Sequence, residues 1–148
     1  MSYFKKFLEQ EHFDKQLKKL AKKYEKKRII LYGVGKFFQV IKENYDLSCL
    51  NIIAVSDYKY QDCKVLTFDE DLGYNKISPH GIAMQNPDLV LLAVIDDYYV
   101  EKYFCEELFV NKSNKFKYKP LLKKSLNRKI SEEYSKTVTN INPTVFFT

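Results

Sequence analysis

The sequence predicts an α/β fold in which a parallel sheet lies between two layers of helices. Two short apolar segments, residues 28–32 and 51–55, flank a glycine turn and a helical pattern, which is the order of a βαβ unit. A third segment, residues 88–95 (DLVLLAVI), is apolar almost throughout, as a strand buried on both faces should be. We therefore expect a three-layer, Rossmann-like sheet with the strand order 3-2-1-4-5.

The glycine turn of the βαβ unit is the first candidate binding site. Glycine at Gly33 permits a tight turn, and glycine at Gly35 would let a phosphate approach the backbone next to Val34. Lys36 opens the helix that follows, whose first N–H groups form a ready anion site. Asp57 follows the second strand, where a Rossmann domain keeps an acid for ribose hydroxyls.

The glycine fingerprint is incomplete at its third position. Phe38 stands where G-x-G-x-x-G has a glycine that allows close packing of the helix on the strand. A phenylalanine here either pushes the helix away or fills space over the turn. The pattern therefore predicts the βαβ fold, and binding of a dinucleotide remains an alternative.

The first part of the chain, residues 1–27, predicts a basic amphipathic helix that packs on a single domain formed by residues 28–148. Its apolar side chains fall mostly on one helical stripe, with a break expected near His12. Basic helices of this kind also lie on anionic membranes, but Glu9, Glu11, Asp14 and Glu25 dilute the basic face. We therefore expect packing on the domain or on a partner.

The remaining elements follow from local patterns. Residues 58–76 predict a solvated loop with one helical turn, and residues 77–79 a very short strand. Asp96 and Asp97 end the third apolar segment, where Asp96 either lines the binding crevice or caps the next helix. We expect a helix over 98–109, an edge strand over 116–119 and a basic helix over 121–135, followed by an uncharged tail that packs on the domain or at an oligomer interface.

The charge distribution narrows the class of partner. The net charge is +6, with +6 in residues 1–28, −7 in residues 29–111 and +7 in residues 112–148. Because the core is acidic and only the two ends are basic, the basic ends are expected to pack near the core or face a protein partner, and nucleic acid is not expected as a ligand. No apolar run is long enough to span a bilayer, and no signal peptide is evident, so we expect a cytoplasmic protein.

The three cysteines give no sign of a metal site or a disulfide framework. Cys49, Cys63 and Cys105 are odd in number and far apart, and the sequence has no C-x-x-C motif. We expect buried or inert thiols.

The strings IILYGVGKF, KISP and NPDLVLLAV, with the Ser56-Asp57 pair after the second strand, resemble small Rossmann-like domains of bacterial surface-polysaccharide pathways. One such group is the N-terminal domain of sialic-acid-type sugar O-acyltransferases, and another is attached to sugar methyltransferases and glycosyltransferases. The resemblance covers about residues 28–95. It implies that Gly33, Gly35 and Asp57 face a nucleotide-linked ligand. The acyltransferase's catalytic histidine belongs to a separate repeat domain, which has no counterpart in this sequence.

Three functions follow as hypotheses. We favour a module that binds a nucleotide or nucleotide-sugar through residues 33–36, Asp57 and Asp96, without catalysis of its own. The alternatives are an oxidoreductase that uses NAD(P) and a structural adaptor without a ligand. The chain contains no G-x-S-x-G, H-E-x-x-H or P-loop motif.

Overall fold

A computed structural model describes residues 3–122, which form a sheet of six strands with helices on both faces. The helices are α1 (Tyr3–Gln10), α2 (Phe13–Lys23), α3 (Lys36–Asn44) and α4 (Tyr98–Tyr103). The strands are β1 (Ile29–Tyr32), β2 (Ile52–Ser56), β3 (Thr67–Asp69), β4 (Tyr74–Ile77), β5 (Leu89–Leu92) and β6 (Tyr118–Pro120).

The strand order is β3-β4-β2-β1-β5-β6, and every neighbouring pair is parallel except β3 and β4. The predicted α/β class with a Rossmann-like sheet is confirmed. The exact order differs from the prediction because an antiparallel edge strand, β3, is added beside β4. Without β3, the parallel strands follow one another as predicted, with β1 at the centre.

The sheet buries apolar side chains on both faces, which explains why β1 and β5 are apolar throughout. On one face, Ile29, Leu31 and Leu91 pack with side chains of α1, α2 and α3. On the other face, Ile30 and Leu92 pack with the segment that follows α4. The result is three layers around two apolar cores.

The predicted N-terminal helix is present and is broken in the middle. His12 has a positive φ of 54° and separates α1 from α2. The ring of Phe4 packs edge-on against Phe37 of α3, with centroids 5.5 Å apart. The ring of Phe13 makes a similar contact with Tyr45, at 4.9 Å. The apolar stripe is therefore buried against the helix of the βαβ unit.

The segment between β2 and β5 corrects the prediction of a solvated loop over residues 58–76. A helical turn is present at Tyr58–Tyr60, but β3 and β4 form a hairpin after it. Asp69 stabilises the hairpin turn, because its Oδ1 accepts a hydrogen bond from Leu72 N at 3.1 Å. Asp69 also pairs with Lys76 at 3.3 Å across the hairpin. The exposed side chains of β3 carry no apolar pattern, so periodicity did not reveal the strand.

The predicted helix over residues 98–109 begins at Tyr98 and changes its hydrogen bonding after one and a half turns. Residues Phe104–Leu108 form a π-helical turn, in which Phe109 N donates to Phe104 O at 2.7 Å. Such turns often occur at functional sites. Phe104 is fully buried, and its ring contacts those of Tyr32, Phe109, Phe116 and Tyr118.

The edge strand predicted over residues 116–119 is β6, displaced by about one residue and lying at the edge beside β5. The predicted helix over 121–135 and the uncharged tail lie almost wholly outside the described residues. Within residues 3–122, no helix is both long and apolar enough to cross a bilayer.

Candidate functional site

The glycine turn after β1 requires glycine at its first position only. Gly33 has a φ of +109°, and a Cβ there would lie 2.7 Å from Val94 Cγ1 and 2.9 Å from the carbonyl oxygen of Ala93. Gly35 has a φ of −101°, and a Cβ there would meet nothing within 4 Å. The first glycine is therefore needed by the fold, whereas the second leaves open space above the start of α3.

Asp57 holds the turn in place from the end of β2. Its Oδ2 accepts a hydrogen bond from Val34 N at 2.6 Å, and its Oδ1 accepts one from Lys59 N at 3.1 Å. The ammonium of Lys59 donates to Val34 O at 3.0 Å. Both backbone groups of Val34 are thus satisfied by side chains of the segment after β2. A carboxylate hydrogen-bonded to a backbone N–H is a charge-assisted contact, among the stronger hydrogen bonds in proteins.

These hydrogen bonds leave fewer backbone N–H groups that could bind a phosphate. Gly33 N donates to Ser56 O at 2.9 Å, and Val34 N is taken by Asp57. The remaining donors of the predicted stretch are the N–H groups of Gly35 and Lys36, and α3 has no side-chain cap at Gly35. Phe38 does not fill the space above the start of α3. Its ring is fully buried in the core, where its centroid lies 6.4 Å from that of Tyr74.

A cleft of about 340 Å³ opens beside the turn, at the carboxyl ends of β1, β2 and β5. β1 lies between β2 and β5, at the point where the strand order reverses. Ligands bind at such a point in open α/β sheets. Four tyrosines, two carboxylates and three small or apolar residues line the cleft: Tyr32, Gly33, Asp57, Tyr58, Val94, Tyr99, Val100, Tyr103 and Glu107. Tyr58 and Tyr99 are 60% and 71% exposed, so much of each side chain is accessible to a ligand.

The walls of the cleft are fixed by contacts among the aromatic side chains. The ring of Tyr103 packs edge-on against Tyr58, with centroids 5.0 Å apart, and its hydroxyl accepts a hydrogen bond from Gln61 Nε2 at 3.0 Å. Burial raises the pKa of Tyr103, and the hydrogen bond from Gln61 partly offsets this. Burial, with the nearby charge of Asp57, raises the pKa of Tyr32 far above its ordinary value. Both phenols are therefore neutral at physiological pH.

The predicted site residues are only partly brought together. Gly33 and Asp57 line the cleft, whereas Val34 is buried in the core and Gly35 and Lys36 are exposed beside it. Asp96 does not line the cleft; its Oδ1 accepts a hydrogen bond from Tyr98 N at 2.9 Å. This is the capping role that the sequence offered as the alternative.

Sequence reasoning missed most of the cleft wall, namely Tyr58, Tyr103 and Glu107. Tyr99, Tyr103 and Glu107 are spaced four residues apart, which places them on one side of a helix. This helix follows a buried strand, so the signal existed as an aromatic stripe above the sheet. It was obscured because the same helix also carries its core side chains nearby, at Phe104 and Leu108.

The described residues contain no group of three His, Cys, Asp or Glu side chains positioned to hold a metal ion. The three cysteines are free thiols, of which Cys49 and Cys105 are exposed and Cys63 is half-buried. Cys49 and Cys105 are therefore not buried, so for them the expectation of buried or inert thiols concerns reactivity alone. Partial burial raises the pKa of the Cys49 thiol, which disfavours the reactive thiolate.

Comparisons with family models, with curated proteins and with solved structures find no match to this chain. The site is therefore interpreted from its own geometry.

Proposed function

We propose that this chain is a Rossmann-like binding module that holds a nucleotide or nucleotide-sugar and has no catalysis of its own. The observation that carries the proposal is the cleft beside Gly33, which is lined by Asp57 and by two exposed tyrosine rings. In the context suggested by the resemblance, the module would serve an enzyme of bacterial polysaccharide or sugar modification.

The chemistry of the cleft supports an orientation for the ligand. Exposed aromatic rings stack well on planar bases, and carboxylates accept hydrogen bonds from ribose hydroxyls. The lining residues include two carboxylates, Asp57 and Glu107, and no lysine or arginine. A phosphate within the cleft would therefore be repelled. We accordingly assign the base and ribose to the cleft, and the phosphates to the open space at Gly35 and the start of α3.

We propose no catalysis because of the hydrogen bonds and pKa values of the polar groups that line the cleft. Asp57 already accepts two hydrogen bonds from the backbone, and Tyr32 is buried with its pKa raised well above its ordinary value. A base for proton transfer would need a pKa near the working pH. The groups of the cleft are better suited to holding a ligand than to moving a proton.

The experiment is a thermal-shift panel with NAD, NADP, S-adenosylmethionine, CoA and UDP-, GDP- and CMP-sugars. A ligand at about a hundred times its dissociation constant adds about 2.7 kcal/mol of stability. For a chain of this length this corresponds to a rise in Tm of about 5–10 °C. A response to NAD or NADP alone would favour the oxidoreductase instead, and no response to any ligand would favour the adaptor.

Variants test where the ligand lies. Gly35→Val should abolish the response with little loss of fold, since its side chain would project into the space assigned to phosphate. Tyr99→Ala should weaken the response through loss of stacking. Phe68→Ala removes a ring of similar exposure on the distant strand β3 and should leave the response unchanged. An unchanged response in Gly35→Val would contradict the site assignment.

A further inference from the structure

A second concavity lies between α2 and the end of β6, on the sheet face opposite the cleft. It has a volume of about 370 Å³ and is lined by Gln16, Lys19, Leu20, Lys23 and residues 119–122. We call it the α2–β6 groove. It shares no residue with the cleft, so it requires a separate explanation.

The floor of the α2–β6 groove is apolar and its rim is basic. Pro120, Leu121 and Leu122 provide apolar surface opposite Leu20. At the rim, the ammonium groups of Lys23 and Lys119 lie 5.5 Å and 4.8 Å from the ring centroid of Tyr24. Their ammonium groups affect the neighbouring phenol, because a hydrogen bond from Lys119 lowers the pKa of Tyr24.

The rim lysines are not neutralised within residues 3–122. The ion pair in this part of the chain joins Lys76 and Asp69, in the hairpin at the opposite edge of the sheet. Lys19, Lys23 and Lys119 therefore present a cluster of positive charge beside apolar surface. Such a surface is complementary to a ligand that combines carboxylates with apolar groups.

Gln16 adds an independent sign of a missing partner. The residue is only 9% exposed, and its Nε2 donates to Glu11 O at 3.2 Å. Its Oε1 is buried and has no hydrogen-bond partner among the described residues. A buried acceptor without a hydrogen-bond partner destabilises the fold. Gln16 lines the groove, so a turn of its side-chain amide would bring Oε1 to an N–H or O–H donor of an occupant.

We propose that the α2–β6 groove docks a segment of a partner protein that carries acidic side chains beside apolar ones. A peptide backbone supplies N–H donors for Gln16 Oε1, its carboxylates pair with the rim lysines, and its apolar side chains cover the floor. An anionic lipid would supply charge and, in some headgroups, hydroxyl donors, so it is tested below as a competing occupant. Within the chain's own end, residues 123–136 carry five Lys/Arg against two Glu and would be repelled by the rim, and residues 137–148 carry no carboxylate side chain for the rim lysines.

The test is fluorescence anisotropy of a labelled synthetic peptide with leucines on one helical side and glutamates on the other, added to the full chain. The expected result is saturable binding that weakens as salt is raised. A matched peptide with lysine in place of every glutamate should not bind. Absence of binding by the glutamate peptide, or equal binding by both, would overturn the proposal.

Variants of the full chain locate the interaction. Combined Lys19→Glu, Lys23→Glu and Lys119→Glu should weaken binding roughly tenfold or more. The matched control combines Lys64→Glu, Lys112→Glu and Lys115→Glu, at exposed lysines outside the groove, and should change affinity far less. Equal losses in the two triple variants would show nonspecific attraction and would overturn the assignment.

A third variant separates docking from folding. Gln16→Leu removes the unpartnered Oε1 together with the hydrogen bond from Nε2 to Glu11 O. Urea unfolding of the free variant measures the net effect on stability, and the peptide should bind several-fold more weakly; unchanged binding would overturn the role of Gln16. Unlabelled competitors test the other occupants. Displacement by a peptide of residues 123–148 would assign the groove to the chain's own end, and displacement by anionic vesicles would assign it to a membrane; either result would overturn the proposal.

Discussion

At the scale of single residues, the two glycines of the turn differ in backbone conformation and in the space around them. Gly33 is required by its positive φ and by the close approach of Val94 and the Ala93 carbonyl. Gly35 has ordinary backbone angles and open space around it. The G-x-G pattern predicted a tight turn at Gly33 and room for a phosphate at Gly35, and the positive φ of Gly33 and the open space at Gly35 agree with these roles.

This contrast gives a matched prediction. Gly33→Ala should destabilise the fold by about 1–3 kcal/mol from backbone conformation, with a further cost from the contact with backbone at Ala93. Gly35→Ala should change stability by less than about 0.5 kcal/mol. Urea unfolding of the two variants measures both values. Similar losses in the two would contradict the roles assigned to these glycines.

The sequence singled out Asp57 from its distance beyond the glycine turn, and Asp57 lines the cleft. Its contact with Val34 N was not predicted, because it depends on how the end of β2 lies against the turn. The same carboxylate thus belongs to the fold as well as to the candidate site. Substitutions of Asp57 will mix loss of stability with loss of binding, so Gly35 is the better probe of the site.

At the scale of secondary-structure elements, the central strands were predicted well because burial on both faces leaves a continuous apolar run. The hairpin of β3 and β4 was missed because pairing across the turn, rather than apolar periodicity, defines it. The π-helical turn at Phe104–Leu108 was also missed, because a change in backbone hydrogen bonding does not alter the spacing of apolar residues in the sequence.

The π-helical turn contains Phe104, which lies among the aromatic rings of the core between the sheet and the segment after α4. Phe104 is fully buried and contacts the rings of Tyr32, Phe109, Phe116 and Tyr118. Phe104→Ala should therefore cost about 3–5 kcal/mol.

Phe68→Ala, at a ring that is 59% exposed, is the control and should cost within about 0.5 kcal/mol. Urea unfolding midpoints compare the two variants. Comparable losses would mean that Phe104 does not organise the core between the sheet and the segment after α4.

At the scale of the whole molecule, stability should fall at alkaline pH. Burial, reinforced by Asp69, raises the pKa of Tyr60 to about 12, and burial, reinforced by Glu101, raises that of Tyr118 to about 12. An unfolded tyrosine ionises near about pH 10. The folded state favours the neutral phenols, so their contribution is complete below about pH 10 and is lost as pH rises toward about 12.

The measurement is the free energy of unfolding by urea at several pH values between about 9 and 12. The combined Tyr60→Phe and Tyr118→Phe variant should lose less stability over this range than the unsubstituted chain. Tyr98→Phe, at an exposed ring outside both the cores and the cleft, is the control. A pH dependence that the double variant leaves unchanged would refute this account.

The sequence predicted where the cleft lies in the whole fold but not which side chains line it. The βαβ order and the apolar segment at 88–95 were sufficient to predict the carboxyl edge of the sheet as the place of the candidate site. The cleft wall depends on the direction of α4 and on Tyr58, which are set by packing between distant segments. The α2–β6 groove likewise joins two segments almost a hundred residues apart, and no local pattern connects them.

The most direct test of the nucleotide site is a two-dimensional amide NMR titration of the full chain with a mixture of NAD and UDP-, GDP- and CMP-sugars. Our account predicts saturable shifts at Gly35, Lys36, Tyr58 and Tyr99, with the resonances of β3 unchanged. Shifts confined to other surfaces, or no shifts at all, would contradict the proposal that this cleft binds a nucleotide.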